Sequence, residues 1–304
     1  MRSTAIVIFA FNRPDHLAET LAHLSRAEGV NDLPLYVFVD GARHEREQEA
    51  VLAVRALAEN FSHPQKTLHF KARNSGLKAS VLAGVQIVFE QCDQIIVLED
   101  DICVHPDFLQ YHLKCLNLYE AQSDIWSVSA YVIPAIGKAL HTQTGQELFM
   151  APRASSWGWS TWKSRWQQAV WDKEIVLKHA TQNCMAYHRT GGDKLRMLMR
   201  EMAGKSSSWA ILWDYSHFMH GAYCVYPHTS YVRNIGLDHS GTHSRPSAAY
   251  AADLTELKPV VKFEPVLNVV PAVNNAFRRI NLKFYRTPFD LLKCMFHKLK
   301  AVFR

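Results

Sequence analysis

Apolar residues along the chain arrive in short runs separated by longer stretches with helical spacing. Residues 4–11 (TAIVIFAF), 34–40 (PLYVFVD), 67–70 (TLHF) and 95–98 (IIVL) are too short for helices and read as strands. Between them, Asn12 and Pro14 open a helix reaching about Arg26, a charged, Ala-rich helix spans roughly 43–60, and a third covers about 77–91. Strands alternating with helices, without hairpin signals, predict an α/β fold with a mainly parallel sheet covered on both faces. In such sheets ligands sit beyond the carboxyl ends of the strands. Asn12, Asp40, the RNSGL turn (73–77) and Glu99-Asp100-Asp101 all fall at those ends. After about residue 125 the pattern is less regular. It holds a strand at WSVSAYV, an aromatic segment SSWGWSTWKSRW (155–166), a polar segment near 172–210, a mostly helical apolar stretch at 209–227 and the loop RNIGLDHSGTHSRP (233–246).

Composition narrows the picture. With 48% hydrophobic and 20% charged residues, the 304-residue chain has ample material for a core. The N-terminal apolar run ends on Asn12-Arg13-Pro14 without a small-residue cleavage pattern, so no secretory signal is expected. No stretch approaches the roughly 20 apolar residues of a spanning helix. Six cysteines (92, 103, 115, 184, 224, 294) form no C-x-x-C and no framework spacing, which predicts reduced thiols in a cytoplasm. The net charge of +6 belongs to the end of the chain. Residues 278–304 carry eight Lys/Arg against Asp290, +7, leaving −1 on the rest. The body therefore lacks the charge signature of a nucleic-acid binder.

Adjacent carboxylates at a strand end suit a hard cation, Mn²⁺ or Mg²⁺, shared with substrate phosphates. In isolation an E-D-D triplet is more often a solvated acidic turn; its place after IIVL, beside the other rim residues, favours the metal. Asp40 suits a nucleobase N–H or a ribose hydroxyl, and equally a turn before Gly41. Arg73, Asn74 and Lys78 flank a Gly-containing turn that phosphate can approach. The absence of G-x-G-x-x-G and of a Walker pattern argues against a dinucleotide oxidoreductase or a P-loop enzyme. Tryptophans are usually core, but Trp157 and Trp159 stand in a polar, Gly-broken segment that reads as a loop presenting indoles to a sugar ring. Asp214, inside an apolar helix, is expensive unless paired or functional, and general base and structural partner are equally good readings. His239 and His243 are four apart, but the intervening Gly241 disfavours a helical zinc pair.

The ordered set IVIFAFNRP, VFVDG, RNSGLKASVLAGV, VLEDDICVHPDFLQY, SWGWSTWKSRW, LWDY and NIGLDHSGTH, spanning about residues 5–245, resembles GT-A nucleotide-sugar glycosyltransferases. It is similar to bacterial relatives of N-acetylglucosaminyltransferase I and to family 2 enzymes. That resemblance implies a GT-A domain over 1–262, with a nucleotide-binding half (1–124) and an acceptor-side half (125–262). It implies Asp101 as the metal ligand of a D-x-D-type element with Glu99 and Asp100, and His243 near the metal or diphosphate. Asn12, Arg13 and Asp40 would hold the nucleotide, with Arg73, Asn74 and Lys78 at its border. Asp214 becomes the base of an inverting transfer, although Tyr215 stands where the animal enzyme's motif continues with a second acid. The expected reaction moves a sugar from a nucleotide diphosphate donor, UDP-linked, to a glycan or lipid-linked glycan hydroxyl, in bacterial surface polysaccharide synthesis. A sugar-phosphate nucleotidyltransferase and a non-catalytic glycan-binding module are the rival readings.

Residues 263–304 form a basic tail. From Thr287-Pro288 onward, Phe289, Leu292, Met295, Phe296, Leu299, Val302 and Phe303 share one helical face, with Lys293, His297, Lys300 and Arg304 beside them. This suits an interfacial helix on an anionic membrane, placing the protein peripherally on its inner face, and suits nearly as well a helix docked on the domain.

Overall fold

The computed structural model describes residues 2–237, 248–267, 273 and 275–277. The expectations for His239, His243 and the 287–304 helix lie outside those residues. In chain order the elements are β1 (Thr4–Ala10), α1 (Pro14–Leu24), β2 (Leu35–Val39), α2 (Gln48–Asn60), β3 (Lys66–Phe70), α3 (Leu77–Gln91), β4 (Gln94–Glu99) and β5 (Ile102–Val104). There follow α4 (Phe108–Tyr119), β6 (Ile125–Ser129), α5 (Pro134–Thr144), β7 (Leu148–Ala151), β8 (Trp159–Trp162) and α6 (Lys163–Trp166). Then come α7 (Lys173–Arg189), α8 (Lys194–Met202), α9 (Trp209–Met219), β9 (Tyr223–Pro227) and β10 (Val232–Asn234).

Eight strands form one sheet in the order β3-β2-β1-β4-β8-β6-β9-β7, while β10 and β5 make a separate antiparallel pair. The expected parallel block is present: β1 pairs parallel with β2 and β4, and β2 with β3. Every residue of β1 is buried, because both faces are covered. Ile6 and Ile8 join Leu17 and Leu21 of α1 and Val51 and Val54 of α2. Ala5, Val7 and Phe9 point the other way, onto Val81, Val85 and Val88 of α3. Each of those fully buried valines contributes about 1.5–3 kcal/mol. Gly84 sets the spacing, since a Cβ there would stand 2.6 Å from the Phe9 ring.

The aromatic segment differs from expectation. Residues 159–162 are a strand, β8, wedged antiparallel between β4 and β6, so strands from before and after residue 124 share one sheet. Its polar positions are satisfied inside the protein: Thr161 Oγ1 donates to the Trp126 carbonyl at 2.6 Å, and Ser160 Oγ lies 2.8 Å from His112 Nδ1. A third core joins α7, α8 and α9 through Tyr187, Leu195, Leu198, Leu212 and Tyr215. Among the described residues no helix is long and apolar enough to cross a membrane.

Candidate active site

The rim is built where β1, β2, β3 and β4 end. Asp100 follows β4 and turns inward, buried. It accepts from the Phe11 N–H at 3.2 Å and from the Arg13 guanidinium, while its own carbonyl accepts from Thr20 Oγ1 at 2.9 Å. Asp100 thereby ties the β1–α1 turn to the end of β4. Asp101 takes the other arm of Arg13 at 2.9 Å. Its Oδ1 is buried and, among the described residues, has no hydrogen-bond partner. The chain after β10 lies against the same turn: the Ile235 N–H donates to the Asp101 carbonyl at 2.9 Å. A Cβ at Gly236 would collide with the Asp101 carboxylate and stand 2.9 Å from Arg13.

Electrostatics follow from that crowding. Burial, and then the neighbouring Asp101 and Asp100, push Glu99 up to about 8, against Arg13 and a hydrogen bond from Trp209. Burial likewise raises Asp100, with Arg13 opposing. Arg13 stays charged: burial works against it, and the two aspartates more than offset that cost. One guanidinium thus stands between two acids that would otherwise repel.

Other rim residues are committed to the scaffold. Asp40 accepts from the backbone N–H groups of Gly41 (3.0 Å), Ser75 (3.0 Å) and Gly76 (2.9 Å), so its carboxylate organises the RNSG turn. Asn74 Nδ2 donates to the Gly41 carbonyl at 2.8 Å, closing the same turn. Gly41 is required there, because a Cβ would lie 2.5 Å from the Arg73 carbonyl carbon. The side chain of Arg73 is exposed. Asn12 Nδ2 donates to Glu47 Oε1 at 3.1 Å, and a hydrogen bond from Arg43 is the main cause that holds Glu47 down at about 2. Lys78 turns to Glu201 at 2.9 Å, which Lys173 also meets at 2.8 Å.

Asp214 lies in a different network. Its Oδ1 accepts from the Ala154 N–H at 2.9 Å, and its Oδ2 from Tyr187 Oη at 2.6 Å and Lys194 Nζ at 2.9 Å. Carboxylate and ammonium are 4% and 1% exposed, so this is a buried ion pair. Beside it, Arg153 pairs with Asp193 at 2.7 and 2.8 Å. Trp209, at the start of α9, reaches Glu99, whereas Asp214 lies five residues on, about 140° around the helix. Both Asp214 oxygens are occupied by protein donors.

Trp159 is corrected outright. It is fully buried, packed among Trp209 (5.1 Å), Trp166 (5.7 Å) and Trp213 (6.0 Å), and presents no face to a sugar. Trp157 is half-buried, edge-on to Tyr131 at 4.4 Å. Sequence reasoning missed Lys194, Tyr187 and Trp209; only Ser208, which caps α9 by accepting from the Ile211 N–H, left a readable signal.

Comparison with known proteins adds a family model, GNT-I family, which matches residues 1–186. Among solved structures, the mannosyltransferase PcManGT from Pyrobaculum calidifontis in complex with GDP-Man and Mn²⁺ is 16% identical, with a TM-score of 0.40. The match covers 54% of this chain and 45% of that one. Glucosyl-3-phosphoglycerate synthase from Mycobacterium tuberculosis, in complex with Mn²⁺, UDP and glucosyl-3-phosphoglycerate, is 15% identical over 54% of this chain and 57% of that one, TM-score 0.33. A cytidylyltransferase from Leptospira borgpetersenii serovar Hardjo-bovis is 14% identical over 42% of this chain and 54% of its own, TM-score 0.30. The chain thus spans about half the length of these structures.

Proposed function

The chain belongs to the GNT-I family, and on that premise we propose that it is a metal-dependent, inverting glycosyltransferase using a nucleotide diphosphate sugar, UDP-linked, and a glycan hydroxyl as acceptor. The observation that carries this reading is the acidic turn beyond β4, where Asp101 keeps a buried carboxylate oxygen without a partner among the described residues. A buried orphan acceptor calls for a missing donor or cation, and an all-oxygen carboxylate suits Mn²⁺ or Mg²⁺. Asp101 would hold the ion, which when bound supplies positive charge against the departing diphosphate.

The chain's own residues have separate tasks. Asp100 fixes Arg13 and the β1–α1 turn by accepting from both. Arg13, the basic group paired with both acids, would meet phosphate once a cation shares its load. Asp40 fixes the turn that carries Arg73, whose exposed side chain borders the same rim. Trp157 is the aromatic face left for the acceptor. Asp214 is left out of the chemistry, because its oxygens are taken by Lys194, Tyr187 and Ala154, so the proton of the acceptor hydroxyl would pass to solvent as the sugar–phosphate bond breaks.

A panel of nucleotide sugars with Mn²⁺, read by released nucleoside diphosphate, tests the activity. Turnover with one donor, its loss in EDTA and in Asp101→Asn, and an inverted product by NMR are expected. Full turnover of Asp101→Asn in chelator would remove the metal from the reading. The lipid-linked acceptor and peripheral attachment through 287–304 belong to the same proposal, and truncation at 277 should release the protein from anionic membranes while sparing donor hydrolysis.

A further inference from the structure

A second group of ligating side chains lies behind the acidic turn. Glu19 and His23 are one helical turn apart on α1, and Cys103 lies at the centre of β5. A carboxylate oxygen of Glu19, a ring nitrogen of His23 and Cys103 Sγ all lie within 4.8 Å of one another. Among the described residues this is the one group of three or more such side chains with donors this close.

His23 Nδ1 is 3.0 Å from the Val104 carbonyl. A carbonyl only accepts, so Nδ1 carries the hydrogen and the Nε2 lone pair is left for a metal. Cys103 is fully buried on the inner side, and Glu19 is exposed on the outer side, which supplies an entry path. Two features oppose the site: burial pushes the Cys103 thiol up to about 11, a cost that metal binding must offset, and Arg233, opposite Cys103 in β10, bridges Glu19 at 2.8 Å. Both side chains of that bridge are about half exposed, so opening it costs little.

We propose that Glu19, His23 and Cys103 form a three-ligand site for Zn²⁺, with solvent as the fourth ligand, clipping α1 to the β5–β10 pair. A thiolate, an imidazole and a carboxylate are the donor set of zinc, while Mn²⁺ and Mg²⁺ prefer oxygen throughout. Cys103 binds as the thiolate: its S–H bond breaks, the proton passes to solvent and the sulfur pair forms the metal bond. The clip sits directly under the proposed active site, since Thr20 on the same helix donates to the Asp100 carbonyl at 2.9 Å.

Cobalt(II) provides the test, because a cobalt–thiolate bond gives an intense near-ultraviolet charge-transfer band that an all-oxygen site cannot produce. Titrating metal-free full-length protein with Co²⁺ should give that band at one equivalent, and Zn²⁺ should abolish it while excess Mn²⁺ leaves it. Cys103→Ser should remove the band. His23→Gln and Glu19→Gln, on the helix surface and neutral to the fold by circular dichroism, should weaken Zn²⁺ binding at least about 10-fold. Arg233→Gln should tighten it. Absence of the band, its persistence in Cys103→Ser, or unchanged affinity in His23→Gln would overturn the assignment.

Discussion

Replacing Asp214 with Asn keeps the shape of the side chain and removes the charge that Lys194 meets at 2.9 Å. Lys194 is 1% exposed, and what remains to it is an uncharged amide oxygen in place of the Asp214 Oδ1 it meets at 3.1 Å, the Pro152 carbonyl at 2.7 Å and the Tyr187 ring, 4.8 Å to the centroid. An ammonium stranded so deeply costs about 3–5 kcal/mol. For a domain of this size each kcal/mol moves the melting midpoint by about 2–4 °C, so the midpoint should fall by roughly 6–20 °C. Lys194→Met should be comparably damaging, since it leaves the carboxylate on Tyr187 and Ala154 alone. The double variant removes both charges, and its loss should fall short of the summed single losses by at least about 1 kcal/mol. Urea unfolding at pH 7, followed by circular dichroism, supplies all four corners of that cycle. Stability of Asp214→Asn within about 0.5 kcal/mol of wild type, together with a roughly 10²–10⁴-fold loss of turnover, would refute the reasoning and make Asp214 the general base.

Trp159→Ala should cost about 3–5 kcal/mol by opening a cavity in the indole cluster, whereas Trp157→Ala should leave the fold intact and raise the acceptor KM; thermal melts and initial rates separate the two. Gly236→Ala should press on the Asp101 carboxylate and raise the Mn²⁺ needed for half-maximal turnover at least about 10-fold, with an unchanged circular dichroism spectrum. Two buried histidines should weaken the fold as pH falls, against Glu99, whose raised carboxyl takes up its proton in the folded state first and so offsets part of the loss. Burial holds His112 at about 3 and His217 at about 4, and the latter is fixed as neutral by the Trp213 carbonyl (2.9 Å) and Ser127 Oγ (2.8 Å). The unfolded chain takes up these protons near 6.5 and the folded chain does not. The contribution is therefore complete above about pH 6.5 and is lost as pH falls toward 4, at up to about 2.7 kcal/mol per pH unit for two protons. His217→Gln should lower the acid-side slope by up to about 1.4 kcal/mol per pH unit relative to wild type in melts between pH 4 and 6.5.

The parallel block was legible because β1, β2 and β4 are covered on both faces and so are apolar at nearly every position. Helix α3 was legible to its observed ends, with Gly76 before it and Cys92 after. β8 was not, because its Ser160 and Thr161 look solvent-facing until His112 and the Trp126 carbonyl are brought to them from 48 and 35 residues away. The same holds for Asp214, whose partners Lys194 and Tyr187 lie 20 and 27 residues upstream. Rim positions could be read from strand ends alone. Which rim carboxylates serve the scaffold could not, since the backbone N–H groups folded onto Asp40 and the Arg13 guanidinium beside Asp101 are brought there only by the fold.

The pairing of β5 with β10 also sets an order in time. Roughly 130 residues separate the two strands, with Asn234 opposite Ile102. At about 5–20 residues per second the ribosome needs roughly 6–26 s to make the intervening chain. Throughout that interval β1, β2, β3 and β4 can assemble on the nascent chain, while Asp101 still lacks the backbone of Ile235 and Gly236. The acidic turn is therefore synthesised well before the segment that backs it and is finished only when that segment arrives. A chain released early, even one holding all 186 residues matched by the family model, would leave that turn unbacked.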